Sequence, residues 1–216
     1  MNFREAYHLP NLLSLSRILM APVAVYFLWR AENWSSWVAV AIVVVAGITD
    51  GLDGYLARRM GSVTRLGVAL DPIADKAFAT ILVVGLIVFR GFPVWLAGLV
   101  VVRDLLILWG GVYLLRRKPD LVLPSNLTGK WAFASLVVLI GAYIIKFNFS
   151  INIMTPIVTV LLIASLVNYA RVFVTAARGE GIAPFHDKTA YRAVRIALTT
   201  VIALAHGVMF WVEFLV

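Results

Sequence analysis

The chain has 216 residues, of which 62% are hydrophobic and only 14% charged, with no cysteine and a formal net charge of +8. A mean hydropathy of +0.94 excludes an ordinary soluble domain, which is about half apolar and about a quarter charged. The missing cysteines exclude disulfides, Cys-ligated zinc and thiolate catalysis. Most of the 19 Lys and Arg fall between or at the ends of apolar segments instead of forming a stripe on a polar domain. That pattern suits anionic lipid head groups and membrane topology, and no nucleic-acid partner is expected.

The N-terminus "MNFREAYHLPN" enters a full-length apolar run without a small-residue cleavage site, so no cleavable signal peptide is predicted. Seven apolar segments follow, at 11–30, 36–57, 68–89, 93–115, 131–146, 151–174 and 196–216. Their apolar residues run round all faces, so the helix assignment rests on length, each segment approaching the ~20 residues of a membrane span. In hydrocarbon a helix satisfies its own backbone, and the alternating ~10-residue segments of a β-barrel are absent. The expected fold is an all-α polytopic membrane helical bundle.

The links fall into two groups. "AENWSS", "RGFP" and "KFNFS" carry Arg30, Arg90 and Lys146, whereas the other group carries Arg58, Arg59, Arg65, Arg116, Arg117, Lys118, Lys130, Arg178, Lys188 and Arg192. The positive-inside tendency places the second group and the N-terminus in the cytoplasm. Trp34, Trp37 and Trp95 near segment ends read as interface anchors, and His8, His186 and His206 as interface or packing residues.

The second and third segments hold the chemistry. Four of the 11 acidic residues, Asp50, Asp53, Asp71 and Asp75, fall within "GITDGLDGYLARRMGSVTRLGVALDPIADKAF". Spacings of three and four put each pair on one helical face, and a short turn lets the two faces meet. Four carboxylates in one cleft need cations, since like charges disfavour ionisation. Hard oxygen ligands without His or Cys point to Mg²⁺, with Mn²⁺ or Ca²⁺ as substitutes. Two ions about 4 Å apart would suit phosphoryl chemistry. The bland alternative is a set of ion pairs with Arg58, Arg59, Arg65 and Lys76. Gly54, Ala57 and Gly67 leave room beside the acids for a phosphate or nucleotide, or serve helix packing. Pro72 can open or kink its helix.

The run Asp50-x2-Asp53-Gly54-x2-Ala57-Arg58-x8-Gly67-x3-Asp71-x3-Asp75, eight specified residues across 26 positions, resembles the signature of the CDP-alcohol phosphatidyltransferases. "LPNLLSLSRILMAP" is similar to the family's first helix, and "DPIADK" to its phosphatidylglycerophosphate and cardiolipin synthase branches. The resemblance implies a six-helix core, usually homodimeric, with a metal-dependent active site open to the cytoplasm. Such enzymes move a phosphatidyl group from CDP-diacylglycerol, or a related group from a CDP-linked donor, to a polar alcohol acceptor and release CMP. Asp50, Asp53 and Asp71 would then be metal ligands. Asp75 would be the base for the acceptor hydroxyl and would also stand near a metal. Gly54, Ala57, Arg58 and Gly67 would line the CDP site, with Thr64, Asn11 and Arg17 as further donor-binding residues.

Arg103, Ser125, Lys130 and Arg171 are the polar residues best suited to an anionic acceptor. "PSNLTGK" resembles the family's Gly-Lys element before its fifth helix. Pairing of Arg103 with Asp104, and interfacial anchoring by Arg171, are the structural alternatives. Residues 1–176 are expected to form the membrane-embedded core, and 177–216 a cytoplasmic basic loop with a seventh C-terminal apolar helix. That helix can span, lie partly in the interface, or support a dimer. The expected reaction uses glycerol 3-phosphate and makes phosphatidylglycerophosphate; phosphatidylglycerol, as in cardiolipin synthesis, and inositol phosphate are the alternatives. A divalent-cation transporter fits poorly, because transport predicts acids spread through the membrane, not clustered at one edge.

Overall fold

The structure is a computed structural model that describes residues 9–30, 32–59, 65–117, 127–178 and 189–214, with side chains described for 15–30, 32–49, 74–114, 116, 127–178 and 199–214. Among these residues the chain forms seven helices and no strand: α1 (Leu9–Arg30), α2 (Asn33–Arg59), α3 (Arg65–Arg90), α4 (Val94–Arg117), α5 (Leu127–Ile145), α6 (Asn148–Arg178) and α7 (Thr189–Phe214). Each expected apolar segment lies within or substantially overlaps one of them. Val94–Leu114, Leu127–Ile145 and Asn148–Arg178 are long and apolar enough to cross a membrane among the described residues, and Asn33–Thr49 and Thr199–Phe214 are shorter apolar helices. Large apolar side chains point outward along these helices; Val101, Leu105, Leu108 and Trp109 on α4 are all at least half exposed. A face of this kind is stable against lipid tails and not against water.

The helices group into two compact units. The first comprises Met1–Pro93 with Tyr143–Lys146. Here α1 packs against both α2 and α3. The buried positions at these seams are mostly small: Ala21 and Ala24 on α1, Ala39 and Ala46 on α2, and Ala74 on α3, with Leu28, Leu82 and Leu86 filling between them. Small residues let backbones approach closely, which is how helices associate where no hydrophobic effect separates protein from lipid. A close approach occurs at Gly85, where an added Cβ would lie 2.7 Å from Cγ2 of Val25.

Local sequence sets the ends. Helix α3 closes with Gly91 at φ +69°, and the Phe92 N–H donates across the turn to the Leu86 carbonyl at 3.2 Å. The positive φ that a glycine adopts at little cost lets the chain turn back over the last turn of the helix. Phe92 then packs edge-on against Tyr143, ring centroids 5.0 Å apart. At the start of α2 the Glu32 carbonyl accepts from the Ser35 hydroxyl at 2.7 Å and from the Ser36 N–H at 3.2 Å. Arg90 donates through Nη2 to the Ser36 hydroxyl at 2.8 Å, tying the end of α3 to the start of α2. Trp34 donates to the Glu32 carboxylate. Trp34 and Trp37 stay exposed, as interface anchors do.

The second unit comprises Val94–Ala142 with Phe147–Val216, where α6 packs on α4 and on α7. Helix α6 buries Met154, Val158, Leu162 and Ser165, a stripe at helical spacing. Pro156 lies inside it, flanked by hydroxyls that bond back to the helix, Thr155 to the Ile151 carbonyl at 2.7 Å and Thr159 to the Thr155 carbonyl at 2.8 Å. In a membrane such back-bonding helps satisfy the backbone around a proline.

Helix α7 runs antiparallel to α6. His206 donates from Nδ1 to the Ile202 carbonyl at 2.8 Å, which leaves Nε2 to accept from the buried Ser150 hydroxyl at 3.1 Å. The Glu213 carboxylate accepts the Asn148 N–H at 3.3 Å, at the first residue of α6. A negative charge is favourable there because the N-terminal amides are unpaired and carry the positive end of the helix dipole. Phe147 packs edge-on against His206, Phe210 and Phe214.

Candidate active site

The aspartates lie on α2 and α3 on either side of the link 60–64. Asp53 is six residues before the end of α2 at Arg59 and Asp71 six residues after the start of α3 at Arg65. Asp50 and Asp75 are nine and ten residues from the same two ends. At 1.5 Å per residue these are matched depths, about 9 Å for the inner pair and about 14–15 Å for the outer pair. Both helices rest on α1, and the four aspartates lie at these positions along them. The side chains of Asp50, Asp53, Gly54, Ala57, Arg58, Gly67, Asp71 and Asn11 lie outside the described set, as do Thr64 and Ser125 altogether.

Asp75 is described, and its partner comes from α1. Arg17 Nη1 makes an ion pair with Asp75 Oδ1, the arginine side chain being 3% exposed and the aspartate 44%. Sequence reasoning paired these acids only with Arg58, Arg59, Arg65 and Lys76, and placed Arg17 with the nucleotide. The signal for the pair was present, since Arg17 is a cation in the middle of the apolar run of α1, and such a cation needs an anion from another helix. With Arg17 opposite Asp75 and Val25 opposite Gly85, α1 and α3 run in the same direction. The ion pair fixes where one of the four carboxylates stands.

The residues expected at the acceptor lie in the second unit. Arg103 of α4 donates through Nη1 to Asp104 at 2.7 Å and through Nη2 to the Ser165 hydroxyl of α6 at 3.1 Å. Its guanidinium carbon stands 6.0 Å from the centroid of the Tyr169 ring. Gly129, in the first turn of α5, closes the other side; a Cβ there would lie 3.1 Å from Arg103 Nη2, 3.4 Å from the Ser165 hydroxyl oxygen and 3.5 Å from the Tyr169 ring. The glycine of the Gly-Lys element therefore makes room for the guanidinium. Lys130 and Arg171 are exposed, and neither is brought to Arg103 by a hydrogen bond or ion pair among the described residues. Ser165 and Tyr169 were not anticipated, although Ser165, Asn168 and Tyr169 form a polar i, i+3, i+4 face inside the apolar run of α6.

Among the described residues no group of three or more acidic, His or Cys side chains gathers to hold a metal; three of the four aspartate side chains are outside that set. The donor chemistry, aspartates at these positions of two helices with no His or Cys among them, fits a hard divalent cation.

Comparison with known proteins accords with this architecture. The family described as CDP-alcohol phosphatidyltransferase matches residues 7–164. A CDP-diacylglycerol–glycerol-3-phosphate 3-phosphatidyltransferase of Aquifex aeolicus is 32% identical over 170 residues, 75% of this chain and 93% of the relative. Proteins of the same name from Cereibacter sphaeroides and Escherichia coli are 42% identical over 91 residues and 41% identical over 78 residues. Those matches take in 42% and 36% of this chain, and only 41% and 43% of the two relatives' own lengths. With the signature aspartates on α2 and α3 and most of the chain matched, this integral membrane protein belongs to the CDP-alcohol phosphatidyltransferase family.

Proposed function

We propose that the protein transfers the phosphatidyl group of CDP-diacylglycerol to glycerol 3-phosphate, giving phosphatidylglycerophosphate and CMP. The observation that carries this reading is the set of four aspartates at matched depth on α2 and α3, in a chain whose relatives bear that activity in their names. Asp50, Asp53 and Asp71, with Asp75 beside them, would hold two Mg²⁺ or Mn²⁺ ions. Bound there, the ions would neutralise the diphosphate and the departing CMP. Gly54, Ala57 and Gly67 give the nucleotide room to approach the helices. Arg58, helped by Thr64, Asn11 and Arg17, binds the diphosphate side of the donor. Asp75, held in place by Arg17, takes the proton of the acceptor hydroxyl as its oxygen attacks the phosphorus that bears the lipid. The P–O bond to CMP breaks, and no protein nucleophile is needed.

Arg103, Ser125, Lys130 and Arg171 bind the acceptor phosphate. A guanidinium fork and an ammonium point charge together suit a compact dianion. The positive-inside tendency of the basic links supports a cytoplasmic aspartate end of α2 and α3, where a soluble acceptor is available. The chain acts as a homodimer, as the family resemblance implies.

The test is CMP release by purified protein from CDP-diacylglycerol with a panel of acceptors, the products identified by mass. Product with glycerol 3-phosphate supports the assignment. Product with phosphatidylglycerol alone would replace the acceptor by that lipid, and product with inositol phosphate alone would do the same for the inositol branch. No CMP release with any acceptor would remove the transferase reading.

A further inference from the structure

The surroundings of Arg103 are unequal on its two sides. On one side everything is fixed: Ser165 is fully buried and accepts from Nη2, and Gly129 and Tyr169 wall the guanidinium in. On the other side stands Asp104, whose side chain is 57% exposed while that of Arg103 is 12% exposed. Adjacent residues on a helix do not share a face, so this pair does not follow from helix geometry alone. Arg103 Nε is buried and has no hydrogen-bond partner among the described residues.

A cation whose purpose was structural would be expected to have its charge met by a buried, well-directed carboxylate, because a desolvated charge needs close and complete pairing. Arg103 has instead a neutral hydroxyl on its buried edge and a carboxylate at its accessible one. We infer that Asp104 is a place-holding counter-ion: it occupies Nη1 of Arg103 when the acceptor is absent and is displaced by the acceptor's phosphate, while Ser165 and Gly129 keep the guanidinium in place. This rests on the reading of Arg103 as an acceptor-binding residue. Asp104 touches no reacting atom in this scheme. It sets a threshold, because an incoming anion must outcompete a carboxylate and approach its negative charge. A phosphate monoester dianion, with more charge and more acceptor oxygens than a carboxylate, meets that threshold more easily than a monoanionic diester.

The consequence is unusual in sign, since neutralising an acidic residue next to the site should tighten binding. The Asp104 side of the pair is more than half exposed, so the gain is modest: Asp104→Asn is expected to lower the KM for glycerol 3-phosphate about two- to fivefold. The change should fall in KM and not in kcat, and inorganic phosphate should inhibit the variant more strongly by a similar factor. Asp104→Ala, which cannot keep a hydrogen bond to Arg103, should behave in the same direction. Ser165→Ala, which frees the fixed edge, should raise KM. An unchanged or raised KM in both Asp104 variants, with Arg103→Gln still raising KM, would overturn the place-holder and leave Arg103 as an acceptor ligand. If Arg103→Gln leaves the KM for glycerol 3-phosphate unchanged, both the acceptor assignment and the place-holder fall.

Discussion

Replacing Gly85 by alanine tests the contact that aligns α1 with α3, and with it the pairing of Arg17 and Asp75. The new Cβ would lie 2.7 Å from Cγ2, 3.1 Å from Cγ1 and 3.4 Å from Cβ of Val25. Carbon atoms prefer separations of about 3.5–4.0 Å, so the closest contact is short by nearly an ångström. Val25 offers no retreat: a β-branched side chain in a helix has one strongly preferred rotamer, and the whole isopropyl group faces the glycine. The helices must part or tilt. Overpacking of this kind costs about 1–3 kcal/mol, against which alanine regains up to about 1 kcal/mol of helix propensity over glycine. A net destabilisation of about 1–2 kcal/mol follows, a factor of roughly 5–30 in the folded-to-unfolded ratio. The measurement is unfolding in detergent, by heat or denaturant, with CMP release followed on the same samples. Val25→Ala in the same chain should recover much of the loss, giving a favourable coupling of about 1–2 kcal/mol in the double-mutant cycle. Gly98→Ala and Gly141→Ala, where an added Cβ meets nothing within 4 Å, serve as controls and should be neutral or slightly stabilising. If Gly85→Ala is as stable as the parent while retaining full activity, α1 and α3 do not meet at Gly85 and Val25 as described.

Other outcomes follow from the same structure. Excess chelator should abolish CMP release, and Asp50→Asn, Asp53→Asn and Asp71→Asn should each raise the Mg²⁺ concentration needed for half-maximal rate; activity undiminished by chelator would remove the metal. Asp75→Asn should keep CDP-diacylglycerol binding and lose on the order of 10² or more in turnover, and loss of donor binding instead would make Asp75 chiefly a ligand. Arg17→Gln should lower turnover through displacement of Asp75, with a smaller effect in Asp75→Asn than in the parent when the two changes are combined; additive effects would show that the pair does not act as a unit. His206→Ala leaves the buried Ser150 hydroxyl without its partner and should cost about 1–2 kcal/mol in detergent unfolding. Unchanged stability there would mean that the Ser150 contact does not hold α7 on α6.

Much of the protein is decided along the chain. Each apolar run between charged links became a helix, because in hydrocarbon a backbone without water must bond to itself and a helix does so locally. That Asp50, Asp53, Asp71 and Asp75 lie on helices was legible in the same way, and spacings of three and four mean one face on any helix, whatever that helix packs against. Local chemistry also closes α3 at Gly91, whose positive φ is open to glycine at little cost.

What the chain could not disclose was which residues of different helices face one another. Arg17 and Asp75 are 58 positions apart and Arg103 and Ser165 are 62 apart. Nothing in the spacing of α1 says that it lies against α3 with Val25 seated on Gly85, nor that the glycine before Lys130 makes room for a guanidinium from α4. Helices in a membrane associate through shape and a few polar contacts, with no difference in hydrophobicity between protein and lipid to mark the buried face. Their apolar surfaces therefore look alike all round in sequence. The neighbours of a charged side chain, and through them the division of Arg103 into a fixed edge and an exchangeable one, exist only once the helices are packed.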